Sequence, residues 1–142
     1  MRRLVLAAVA MLLVACGGDK VAGPNETVAG TYMLRSVNGA NLPATYFQNS
    51  VEKDQFFDGS IVLAADHSWT GSLSVDATSI VNGDKFFHGP IPISGTYSLN
   101  ANAINLTDGV NTLSFIGTVS GGTMTLNIDL GDIQMTAMVF SR

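Results

Sequence analysis

A strict alternation of apolar and polar residues runs through much of the chain and predicts β-strands. In residues 68–76, SWTGSLSVD, one face carries Trp69, Leu73 and Val75, and the other face is polar. Residues 123–130, TMTLNIDL, repeat this alternation. Successive side chains of a strand point to opposite faces, so each of these strands should have one buried face and one solvated face. No comparable helical period follows the N-terminal segment, and the sequence therefore predicts an all-β fold.

Turn signals recur along the same part of the chain, as in Asn38-Gly39 and Asp108-Gly109. Both dipeptides tolerate positive φ and suit tight hairpins. We expect an up-and-down antiparallel meander of eight or nine strands. Pairing of the first strand, 30–37, with the last, 133–140, would close the meander into a barrel and remove its exposed edges. An open sandwich is the alternative. Residues 43–57 should form one strand, a loop and the start of another strand.

The N-terminal segment has a different composition. Arg2 and Arg3 precede an unbroken apolar run, residues 4–15. This run is shorter than the roughly 20 residues of a membrane-spanning helix, and it matches the hydrophobic core of a secretory signal helix. The single cysteine, Cys16, follows directly. Residues 17–28 are rich in glycine and polar residues, so we expect a flexible tether with an average reach of roughly 20 Å.

The residues LVAC, which end at Cys16, resemble the lipobox of bacterial lipoproteins. The resemblance implies that residues 1–15 are a cleaved signal peptide and that Cys16 is lipidated on its sulfur and its new amine. Two or more acyl chains hold a protein stably on a membrane, so the implied location is the bacterial cell envelope. Gly17 follows the cysteine where aspartate would retain a lipoprotein at the inner membrane, and this implies the outer membrane, facing the periplasm. A thiol in a membrane-spanning helix and secretion with a free cysteine are the alternatives.

Length and charge narrow the function classes. Residues 29–142 suffice for one domain with a real core. The formal net charge is −4, and it becomes more negative when Arg2 and Arg3 are removed. An acidic domain repels phosphate backbones, so nucleic acid is excluded as a partner. One cysteine cannot form an internal disulfide, and stability must come from packing.

Four segments in order resemble the lipocalin-like domains of small bacterial envelope lipoproteins. They are AGTYMLRSVNG (29–39), GSIVLAADHSWTG (59–71), GTYSLNANAINL (95–106) and MVFSR (138–142). The resemblance implies a lipocalin-like β-barrel with an internal apolar cavity, without specifying one ligand. Lipocalins have a Gly-x-Trp near the first strand and an arginine late in the last strand that packs across the Trp ring. Here Tyr32 stands in the place of that Trp, and Arg142 is the candidate arginine for closing the barrel.

The barrel interior is the predicted site for a small apolar ligand or lipid. Alternation sends Trp69 inward, and it should line the interior with Leu73, Tyr97, Leu99, Leu113, Phe115, Met124, Leu126 and Ile128, beside Leu63, Ile104 and Leu106. A ligand cavity needs roughly 300 Å³ or more. The alternative is a barrel filled by its own side chains, in a non-enzymatic envelope lipoprotein that acts through protein–protein contacts.

Candidate catalytic and metal-binding residues do not form a recognisable constellation. His67 and His88 lie far apart at expected turns, which is too little for a metal site. Glu52, Asp54 and Asp58 are expected in a solvated acidic loop. No serine lies in a Gly-x-Ser-x-Gly context. We therefore expect neither an enzyme nor a bound cofactor.

Three aromatic doublets are the remaining signal: residues 46–47, 56–57 and 86–87. Neighbours in a strand point to opposite faces, so one ring of each pair should face outward. The doublets predict exposed aromatic surface near a barrel mouth, where it would mark binding, or rings that fold over the mouth as a plug.

Overall fold

The computed structural model describes residues 27–110, 113–128 and 136–142, and the secondary structure of these residues is β throughout. The strands are β1 (Gly30–Val37), β2 (Ala40–Asn41), β3 (Ala44–Gln48), β4 (Glu52–Leu63), β5 (Ser68–Ser79), β6 (Lys85–Asn100), β7 (Ala103–Asp108), β8 (Ser114–Ser120), β9 (Thr123–Ile128) and β10 (Thr136–Ser141). None of these residues forms a helix that is long and apolar enough to cross a membrane.

Strand β1 closes the sheet into a barrel. It pairs antiparallel with β10, where Leu34 lies opposite Phe140, and with β4, where Met33 lies opposite Ser60. From β4 to β10, each strand pairs with its neighbours in the chain, and β10 returns to β1. The result is an antiparallel barrel of eight strands, β1 and β4–β10. The predicted all-β meander and its closure are confirmed, and the open sandwich is wrong.

Two short strands lie outside the closed ring. Strand β2 pairs with the end of β1. Strand β3 pairs with residues 53–56 of β4, whereas β1 pairs with residues 60–63 of that strand. Residues 43–57 therefore form a strand, a turn and the start of β4, as expected. Of the predicted last strand, 133–140, the described residues form β10 from Thr136 onward, and residues 133–135 lie outside the described part of the chain.

The three central strands are longer than the rest and extend beyond the barrel. Strands β4 and β5 have 12 residues each, and β6 has 16. The pairing of β6 with β7 ends at Gly95 and Asp108, while β6 continues along β5 to Lys85. We call the projecting part the sheet extension: β3 with residues 52–58 of β4, 74–79 of β5 and 85–92 of β6.

One edge of the sheet extension is formed by β6. The Tyr97 N–H donates to His67 O on the β5 side, whereas Ser94 O accepts from the Gly109 N–H on the opposite side. Backbone groups alternate along a strand, so Pro90 and Pro92 face the same side as Ser94, where β6 has no neighbouring strand among the described residues. Proline lacks an N–H, and such an edge is a place where it costs no ladder hydrogen bond.

A candidate groove in the barrel wall

Trp69 is buried in the barrel core near the start of β5. It is only 1% exposed, and its indole meets the Phe115 ring edge-on with 5.6 Å between ring centroids. The indole Nε1–H donates to Thr96 O at 3.1 Å and to Thr107 O at 3.3 Å. These two carbonyls belong to β6 and β7, so the buried indole fixes the wall where those strands meet.

Gly95 makes that arrangement possible. A Cβ atom at Gly95 would lie 1.8 Å from the carbonyl oxygen of Thr107. Only glycine allows β7 to approach this closely, and the approach brings Thr107 O within reach of the Trp69 indole. Gly95 was not identified from the sequence, because its role depends on the register between β6 and β7.

The structure brings most of the predicted lining residues together inside the barrel. Phe115, Met124, Leu126 and Ile128 are between 0% and 2% exposed, as are the neighbouring Leu63, Ile104 and Leu106. A cavity large enough for a water molecule would leave accessible surface on its lining. The section of the interior that these residues occupy is therefore filled by side chains.

The other predicted lining residues lie nearer the ends of the barrel. Leu73 is 7% exposed and Tyr97 is 6% exposed, and both belong to the main core cluster. Leu99 and Leu113 are partly buried and pack against that cluster from its periphery. The Tyr97 hydroxyl donates to Ala64 O at 2.7 Å, so this ring is held in the wall.

Arg142 and Tyr32 meet across the closure. The Arg142 guanidinium carbon lies 5.3 Å from the centroid of the Tyr32 ring, within the range of a cation–π contact. Arg142 Nη1 also donates to Thr27 O at 3.1 Å and to Ala29 O at 3.5 Å. The contact joins the first strand to the end of the last one, and the arginine also holds the chain that enters β1.

A groove of about 410 Å³ opens in the wall beside Trp69. It forms where β7 ends at Asp108 and the chain turns away, while β6 continues along β5. Its lining consists of Thr70, Gly71, Pro92, Ile93, Ser94, Asp108 and Val110. The apolar–polar pattern of the sequence does not predict this groove, since it results from unequal strand lengths. The prolines of the β6 edge are the one sequence signal that could have indicated it.

The groove combines apolar walls with a few polar groups. Ile93 is buried against the core, whereas Val110 is 79% exposed at the rim. Thr70 and Ser94 supply hydroxyl groups, and the Asp108 carboxylate accepts the Val110 N–H at 2.8 Å. Such a lining suits a mainly apolar molecule with a hydrogen-bonding group.

The acidic residues of β4 correct one expectation. Glu52, Asp54 and Asp58 lie in a strand, not in a solvated loop. Burial raises the pKa of the Asp54 carboxyl, and the neighbouring Glu52 adds to the effect. Burial, with Asp54 as the second cause, raises the pKa of Tyr46 to about 12. These side chains belong to β3 and β4, and neither strand contributes to the lining of the groove.

The histidines do not come together. His67 stacks on Tyr97 with 5.1 Å between ring centroids, while His88 lies in β6 and pairs with Asp76. Hydrogen bonds from Lys85 and then His88 hold the pKa of Asp76 below its usual value. Within the described ranges, no group of three or more His, Cys, Asp or Glu side chains could hold a metal ion.

The aromatic doublets differ in exposure. Phe56 is buried and packs on Tyr46 with 4.3 Å between ring centroids, and Phe57 stacks on His88. Phe86 and Phe87 are both exposed, at 58% and 43%. The edge position of this part of β6 and an irregular register between Ala77 and Thr78 account for the exposure of both rings.

Comparisons with known proteins yield one structural likeness. No protein-family model matches the chain, and no curated protein matches it. A solved structure of a mutant of the REP1-NXSQ fatty acid transporter is similar over 80% of this chain and 96% of that chain, with 14% sequence identity and a TM-score of 0.37. At this TM-score the likeness has no bearing on what the chain binds.

Proposed function

We propose that this protein is a lipid-anchored binding protein for a small apolar ligand or lipid, with the ligand in the wall groove instead of the barrel interior. The observation that carries the proposal is the groove volume of about 410 Å³, which reaches the size of small-molecule sites. Ile93, Pro92 and Val110 would contact the apolar part of the ligand. The hydroxyls of Thr70 and Ser94 would orient its polar end.

The proposal includes the anchor and the location. Residues 1–26 lie outside the described part of the chain, so the lipobox carries this step. Lipidation of Cys16 would hold the barrel at the outer membrane, facing the periplasm. In cells, Cys16→Ser should leave the chain unprocessed or soluble. Membrane partition and normal removal of residues 1–15 in that variant would contradict the anchor.

Trp69 fluorescence tests the ligand site. Its indole bonds to the β6 and β7 carbonyls beside the groove, so a bound fatty acid should change its emission saturably. Ser94→Phe would fill the groove and should weaken the response at least about tenfold, since the ring excludes the ligand. Thr96→Phe is the matched control, because Thr96 is exposed on the same outer face of β6 but does not line the groove. Equal binding by both variants would contradict a site in the groove.

A second function is favoured by the packed interior. Side chains that are 0–2% exposed leave that section of the barrel filled, as expected of a non-enzymatic envelope lipoprotein that acts through protein–protein contacts. Native mass spectrometry of the chain purified from its host separates the two proposals. A co-purifying lipid supports the ligand-binding function. Its absence, together with no saturable Trp69 response, favours the filled barrel.

A further inference from the structure

Two turns lie side by side at the far end of the sheet extension. Residues 49–51 connect β3 to β4, and residues 80–84 connect β5 to β6. The Ile80 N–H donates to Val51 O at 2.9 Å and joins the turns. Four apolar side chains project from this end, which we call the apolar tip: Val51, Ile80, Val81 and Phe86, with exposures of 55%, 44%, 78% and 58%.

Several backbone groups of both turns have hydrogen-bond partners within the tip. In the first turn, Asn49 Oδ1 accepts the N–H groups of Val51 and Glu52, both at 2.8 Å. In the second, Ser79 O accepts the Gly83 N–H at 2.9 Å and Asn82 Oδ1 accepts the Asp84 N–H at 3.2 Å. Backbone groups with internal partners can enter an apolar phase without losing hydrogen bonds to water.

The charges beside the apolar tip are balanced. Asp84 is the last residue of the second turn and Lys85 follows it, while Glu52 and Lys53 follow the first turn. The whole chain carries a net charge of −4. Neither the tip nor the chain would therefore be drawn to an anionic surface, and attachment by the tip must rest on its apolar side chains.

We infer that the apolar tip inserts into the interfacial region of a lipid bilayer, as a contact separate from the groove and from the N-terminal anchor. Four exposed apolar side chains on turns with several internal backbone hydrogen bonds fit the few ångströms of depth between headgroups and acyl chains. The tip lies at the Glu52 end of β4. The N-terminal chain, which is described from Thr27, joins the barrel at the Leu63 end of the same strand. Strand β4 is about 36 Å long at roughly 3.3 Å per residue, so a barrel lying on its side brings both ends to one membrane.

A tryptophan placed in the tip tests the insertion. The full chain with Val81→Trp is mixed with vesicles of phosphatidylcholine that carry bromine on their acyl chains, and the wild-type signal of buried Trp69 is subtracted. Bromine quenches only nearby indoles, so emission from the tip should fall at least about two-fold and shift to the blue. Val51→Trp, on the neighbouring turn, should respond in the same way.

Ile116→Trp is the matched control. Ile116 is 60% exposed on the barrel, outside the sheet extension, and the same N-terminal segment accompanies both variants. Bromine should change the emission of this variant by less than about a tenth. Equal quenching at the two positions, or no quenching at the tip, overturns the inference. Quenching that requires replacement of half the lipid by anionic phosphatidylglycerol also overturns it, because the contact would then be electrostatic. A blue shift without vesicles that grows with protein concentration would assign the tip to a protein contact instead.

Discussion

At the scale of single residues, close approaches between strands determine how the wall is built around Trp69. The indole N–H must find partners because an unpaired buried donor costs about 1–3 kcal/mol. Thr107 O supplies one partner, and it can do so only because Gly95 has no side chain. The alternation around Trp69 predicts its burial, but no sequence pattern predicts a contact that depends on the register of β6 against β7.

Gly95→Ala should destabilise the barrel by more than about 2 kcal/mol, because the new methyl group would lie 1.8 Å from Thr107 O and would separate β6 from β7. Gly109→Ala is the control: its Cβ would meet its nearest heavy atom at 3.9 Å, and the change should stay within about 0.5 kcal/mol. Urea unfolding followed by Trp69 emission measures both. A Gly95→Ala variant as stable as Gly109→Ala would contradict the close contact.

The phenol of Tyr46 should lose its proton at a higher pH than an ordinary tyrosine does. Burial and the nearby Asp54 raise its pKa to about 12, so the folded state binds this proton more tightly than the unfolded state does. The stabilisation is complete below about pH 10 and is lost as the pH rises from 10 towards 12. In a pH titration, the ultraviolet absorbance of tyrosinate should show a late component, which is a rise near pH 12. This rise should disappear in Tyr46→Phe. In Asp54→Asn the late component should persist at a somewhat lower pH, because burial is the larger cause.

At the scale of the element, β6 shows where alternation succeeds and where it fails as a predictor. The strands around Trp69 and in residues 123–128 follow their apolar–polar pattern, and so does the first strand. Half of β6 has no such pattern, because residues 85–92 lie outside the barrel with both faces largely open to solvent. The groove depends on this unequal length, and for that reason the apolar–polar pattern of the sequence does not predict it.

Pro90 and Pro92 should protect the β6 edge from pairing with other chains. They face the open side of the strand, where an N–H would offer a donor to an incoming strand. The double variant Pro90→Val, Pro92→Val should self-associate at concentrations where the wild-type chain does not, as measured by light scattering. The double variant Thr96→Val, Ser98→Val is the control, since β7 already covers that part of β6. Unchanged association of the proline variant would show that the prolines are not needed for protection.

At the scale of the whole molecule, closure and filling of the barrel were predicted with different success. Closure follows from a meander whose first and last strands both have an apolar face, and the pairing of β1 with β10 confirms it. Whether the interior is hollow depends on how side-chain volumes combine across eight strands. Local alternation does not encode that sum, and hollow and filled barrels therefore present the same pattern.

Arg142→Ala should loosen the closure. The variant loses the cation–π contact with Tyr32 and the hydrogen bonds to Thr27 O and Ala29 O, and we expect a cost of about 1–2 kcal/mol. Arg35→Ala is the matched control: Arg35 is exposed and donates to the Ser141 hydroxyl at 2.7 Å, so its loss should cost less than about 0.5 kcal/mol. Thermal unfolding compares the two variants, and equal effects would show that Arg142 has no special role in closure.

Leu126→Trp distinguishes a filled barrel from a hollow one through stability alone. Leu126 is 0% exposed among Met124, Phe115 and other fully buried side chains. In a filled interior the larger ring has no space, so neighbours must leave their preferred rotamers and the cost should be about 1–3 kcal/mol. In a hollow interior the same ring would fill empty volume and leave stability unchanged or raised. Leu99→Trp is the control, because Leu99 packs at the periphery of the core and can turn its side chain towards solvent. Urea unfolding of both variants decides the matter: a stable Leu126→Trp chain that also loses fatty-acid binding would return the ligand site to the interior.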